Sequence, residues 1–140
     1  MKYLISISIG LLTGLLSISL SEYAVIAMFP LSKSFDFQDI TVIYENMNTI
    51  PMQNLISILI GYALSSLLAG FVSTKIKTGN HFIPIVIIGI TLTMFGFIYL
   101  LIIPHPLWMV VAGSIIFIPM TWLGSKICQA SADEKVIYKF

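Results

Sequence analysis

At 140 residues the chain is the size of one domain, but 58% of it is hydrophobic and only 9% charged, with a mean hydropathy of +1.01. That balance excludes a water-soluble globule, because a fold this small leaves much of its surface outside and cannot hide so much apolar area. A net charge of +1, with no basic patch interleaved with aromatics, excludes nucleic acid as a partner and leaves membrane lipid as the expected surroundings.

A hydrocarbon core about 30 Å thick takes about 20 apolar residues of helix. Four segments have that length: roughly Tyr3 to Phe29, Met52 to Ser73, Phe82 to Ile103 and Leu107 to Ile127. The expected fold is therefore all-α, a polytopic four-helix antiparallel bundle in a single transmembrane domain over residues 1–140. The first apolar run is longer than the core of a signal peptide and reads as a retained span. Pro30 and Pro51 bracket the first connection, Gly79 and Asn80 break the second, and Pro104-His105-Pro106 forces a tight third.

Orientation follows from lysine, since the sequence has no arginine. With the N-terminus inside, Lys2, Lys75, Lys77, Lys126, Lys135 and Lys139 are cytoplasmic and only Lys33 is outside. Both termini are then cytoplasmic.

Span one contains Ser6, Gly10 and Gly14 at four-residue spacing, then Ser17 and Ser21. Small residues let helix backbones approach in lipid, where hiding apolar side chains from water gives no drive to associate. Span two repeats the device in Gly61, Ser65, Ala69 and Ser73, flanked by Ser66 and Gly70, and span four has Gly113, Gly124 and Ser125. The stripes predict that spans one and two pack together, or that they serve a second copy in a homo-oligomer.

Glu22 is the one ionisable side chain well inside an apolar span. Eight residues before Pro30, at about 1.5 Å of rise each, it lies roughly 12 Å from the outer helix end. An acid at that depth costs a few kcal/mol unless neutral, paired or wetted. Three roles compete: a proton- or cation-coupling site, a structural acid bonded to Ser19, Tyr23 or another helix, and an acid that reaches the interface through tilt of a long span.

The outer loop, residues 30–51, carries Asp36, Asp39 and Glu45. Ser34 or Asp36 can cap a short helix in which Phe37, Ile40, Tyr44 and Met47 form an apolar stripe along the membrane surface; an irregular loop fits equally well. His105, in the outer Pro-His-Pro turn, is on the same side as Glu22 and is the partner to test for it. One His and one Glu are too few for a metal site without further ligands, so neither a metal nor a cofactor is expected. His81 reads as an interfacial residue, Trp108 and Trp122 as an aromatic belt, and Cys128 as a small buried hydrophobe. The sequence contains no nucleophile elbow, HExxH, phosphate loop or Cys-x-x-Cys, so an enzyme is not expected.

The order of Glu22, Pro30, Ile50-Pro51 and Ile103-Pro104-His105-Pro106-Leu107-Trp108 resembles a group of small bacterial four-helix membrane proteins of unassigned function. The resemblance implies a bacterial inner membrane and the four-span topology. It implies no activity.

Taken together, these readings lead to a non-enzymatic, self-associating inner-membrane component. The alternatives are a small proton- or cation-coupled transporter or channel using Glu22, alone or with His105, and a lipid-interacting protein.

Overall fold

The computed structural model describes residues 2–30, 41, 49–76, 82–103 and 105–137. These form four helices: α1 (Lys2–Met28), α2 (Met52–Ile76), α3 (Phe82–Ile102) and α4 (Leu107–Ile137). Each is long and apolar enough to cross a membrane. The surface presented by the bundle is dominated by leucine, isoleucine, phenylalanine and methionine, which fits lipid as its solvent. The amphipathic stripe expected between Phe37 and Met47, and His81, lie outside the described residues.

Helix ends differ from the hydropathy limits where polarity, rather than backbone geometry, set those limits. Hydropathy ends the fourth span at Ile127, yet α4 continues to Ile137. No proline or glycine occurs between Ser125 and Ile137, so nothing in the backbone stops the hydrogen-bond ladder where the apolar stretch ends. For the same reason α2 runs three residues past Ser73, to Ile76. In the tight connection before α4, the amide of His105 donates to the carbonyl of Ile103 at 2.7 Å. The Pro106 carbonyl then accepts from Met109 and Val110, opening the next helix.

Contacts are most extensive between α2 and α4 and between α1 and α2, and sparse between α1 and α3; among the described residues α1 and α4 do not pack together. The α2–α4 seam is the tightest. A Cβ on Gly70 would lie 1.9 Å from the Thr121 carbonyl oxygen, and one on Gly124 would lie 1.9 Å from that of Leu67. Only glycine allows these two backbones to meet. Thr74 Oγ1 donates to Ser125 Oγ at 2.8 Å along the same seam.

The small-residue stripes of α1 and α2 face each other. Ser6 Oγ lies 2.8 Å from the Ser73 carbonyl and 2.7 Å from its hydroxyl. Gly10 sits against Ser73 and Ala69, Gly14 against Ala69, and Gly61 against Ser21. Ser65, Ala69 and Ser73 are all buried. The stripe is thus occupied inside one chain and offers no free face to a second copy.

Candidate functional site

Two hydrophobic helices rarely close perfectly along their whole length, and here the gap falls beside the buried acid. α1 and α3 meet through Gly10 against Ile88 and Gly14 against Leu92. Beyond that contact, toward the end of the bundle that carries His105, the two helices line a cleft of about 250 Å³. Leu15, Ile18, Ser19 and Glu22 of α1 form one wall, and Leu92, Phe95, Gly96 and Tyr99 of α3 the other. Tyr62 of α2 and Phe117 of α4, both almost fully buried, form the floor. The rim is exposed at Leu15, Phe95 and Tyr99, so among the described residues the cleft opens sideways between α1 and α3, on the apolar flank of the bundle.

Each polar group in the cleft is held by an identifiable element. Glu22 is half-buried, and its Oε1 accepts a hydrogen bond of 2.6 Å from the Tyr62 hydroxyl. The Tyr62 ring is 2% exposed and stacks on Phe117 with centroids 5.8 Å apart. That stacking is possible because α3 has a glycine opposite: a Cβ on Gly96 would come within 2.4 Å of the Phe117 ring. Tyr62 is therefore a rigid donor, fixed by two helices, and Glu22 is its acceptor from a third. Among the described residues no lysine, arginine or histidine lines the cleft.

The residues singled out in the sequence end up in different places. Glu22 is in the cleft. His105 is not: its Nδ1 lies 2.9 Å from the Ile103 carbonyl, and burial pushes the imidazole below its ordinary range, with the backbone hydrogen bonds opposing. Its ring is 6.4 Å from that of Tyr99, centroid to centroid, so Tyr99 borders both the cleft and the turn. Gly10, Gly14, Gly61, Ser65, Ala69 and Ser73 belong to the α1–α2 seam. Among the described residues no group of three His, Cys, Asp or Glu side chains could hold a metal ion.

Sequence reasoning missed Tyr62, Tyr99 and Asn54. Asn54 is 4% exposed and donates from Nδ2 to the Phe29 carbonyl at 3.0 Å, satisfying one of the open carbonyls at the end of α1. Its Oδ1 has no partner among the described residues. A tyrosine in the middle of its helix, about three turns from the start and about four from the end of Met52–Ile76, leaves no sequence signal; only its being the partner of a buried acid 40 positions away makes it special.

The fold and site define an all-α bundle of four membrane-length helices with an acid-bearing lateral cleft. No family model, curated protein or solved structure matches the chain.

Proposed function

We propose that this chain is a multi-pass protein of the bacterial inner membrane, four antiparallel spans with both termini cytoplasmic, that binds a proton or a cation at Glu22. It acts as a small transporter or binding protein rather than an enzyme. The six-to-one lysine distribution supports the orientation. The observation that supports the site is a carboxyl held by Tyr62 in a cleft that, among the described residues, is lined by no basic group. An ionised carboxyl in such surroundings needs a counter-charge. A proton or a cationic ligand meets that need, and each displaces the other.

A second reading is supported by the same hydrogen bond. Glu22 and Tyr62 clasp α1 to α2, as a purely structural acid in a self-associating membrane component would. Among the described residues, self-association would then use lipid-facing surfaces, since the Gly10–Ser73 stripe is buried within the chain.

Treatment of native membranes with a hydrophobic carbodiimide separates the two. A protonated carboxyl reachable from lipid is converted to an N-acylurea, which mass spectrometry locates on the peptide containing Glu22. The binding reading expects modification at Glu22 and none at that position in Glu22→Gln. A Glu22 that resists the reagent while a control membrane carboxyl reacts would leave the structural clasp as the function of this acid.

A further inference from the structure

We infer that the ligand of the cleft is an amphiphile with an ammonium head, entering sideways from the bilayer; the inference rests on Glu22 being a cation site. Three observations on size, access and lining lead to it.

The cleft holds about 250 Å³, less than the roughly 300–1,000 Å³ of pockets that enclose a drug-sized ligand. It accommodates a head group and not a whole amphiphile. The opening lies between α1 and α3 at Leu15, Phe95 and Tyr99, all exposed on the apolar flank of the bundle. A chain attached to the head would therefore lie along these two helices, in lipid.

The lining is what an ammonium group requires. Four aromatic rings, Tyr62, Phe95, Tyr99 and Phe117, surround the space in which Glu22 supplies the only acid among the described residues. Ring faces attract ammonium groups, more strongly where water is excluded, and the carboxylate neutralises the charge. The Tyr62 hydroxyl engages Oε1, leaving Oε2 for the ligand. Among the described residues the other titratable groups facing the acid are Tyr62 of α2 and Tyr99 of α3, neither of them basic; α4 contributes Phe117, which does not titrate. A hydrated inorganic cation gains little here, because apart from Glu22, Ser19 and the tyrosine hydroxyls the walls offer no oxygen to replace its water shell.

The test uses the purified full chain in nanodiscs of phosphatidylglycerol, which lacks an ammonium group, and reads protection of Glu22 from the carbodiimide. Dodecyltrimethylammonium is expected to protect. Tetramethylammonium, which has the head without the chain, should need at least tenfold more, and neutral 1-dodecanol should not protect at matched concentration. Phe95→Leu and Tyr99→Leu, each normalised to its own unprotected labelling, should weaken protection by about three- to thirtyfold.

Replacing half of the lipid with phosphatidylcholine distinguishes the source. A fall in labelling in those discs identifies a membrane lipid as the ligand, and unchanged labelling identifies a free amphiphile. Labelling that dodecyltrimethylammonium leaves untouched, or that dodecanol suppresses equally, overturns the ammonium class while Glu22 stands as a lipid-accessible carboxyl. Absence of any labelling at Glu22 overturns the underlying site as well.

Discussion

Replacing Gly70 with alanine puts a methyl carbon 1.9 Å from the carbonyl oxygen of Thr121. That oxygen is backbone and cannot rotate away, so α2 and α4 must separate by about 1.5 Å before the methyl reaches ordinary contact. Separation of this size forfeits about three quarters of the dispersion energy of every contact across the seam, at roughly 0.1–0.2 kcal/mol per atom pair. With on the order of 20 such pairs around the crossing, the loss is about 1.5–3 kcal/mol. The 2.8 Å bond between Thr74 and Ser125 also stretches, at about 0.6–1.7 kcal/mol for an interhelical hydrogen bond in a membrane. Against this, alanine favours helix by up to about 1 kcal/mol over glycine. The net expectation is a destabilisation of about 1–5 kcal/mol. Reversible unfolding in bicelles, titrated with sodium dodecyl sulfate and followed by tryptophan fluorescence, measures it. Gly89→Ala is the comparison, because its Cβ meets Ile118 at 3.3 Å and a shift of a few tenths of an ångström suffices. If Gly70→Ala is as stable as Gly89→Ala, the glycine seam does not hold the bundle together.

Tyr62→Phe removes the donor to Glu22 and leaves a half-buried carboxyl without its hydrogen bond, so the same unfolding assay should show a loss of about 1–3 kcal/mol; no loss would mean that the bond does not persist in the bilayer. Ser6→Ala deletes the hydroxyl between α1 and Ser73 and should cost about 0.6–1.7 kcal/mol, again by unfolding. His105 gives a pH dependence. Its pKa is lowered in the folded state, so the unfolded chain binds more protons below about pH 6.5. The His105 contribution to stability is therefore intact above that pH and is lost as pH falls toward the folded value. His105→Gln should flatten the fall in melting temperature between pH 7.5 and 5, and an unchanged slope would assign the effect elsewhere. Fusion of alkaline phosphatase to the C-terminus should give an inactive enzyme and fusion within the loop after Lys33 an active one; the reverse pattern would invert the topology.

Much of this protein follows from its sequence because hydropathy is additive along the chain. Each of the four apolar segments is long enough to span hydrocarbon whatever its neighbours do, and an α-helix satisfies its own backbone groups there. Glu22 stands out for the same reason: an acid among apolar residues is expensive wherever the helix turns. The α1–α2 seam was legible too, as serines, glycines and an alanine at four-residue spacing on both helices. What the sequence could not rank was which small residues come closest. Gly70 and Gly124 make backbone contact while Gly14 meets side chains, and that depends on how each helix is rotated about its axis.

The partner of Glu22 was decided in the same way. Local reading offered Ser19, Tyr23, His105 or an unspecified residue of another helix; it is another helix that supplies the donor, Tyr62, because Gly96 leaves room for Phe117 and Phe117 braces the tyrosine ring. Four helices contribute to that arrangement, and no single helix carries a trace of it. Hydropathy counts what each residue prefers as solvent; a cleft depends on which faces meet, and only packing in three dimensions chooses them.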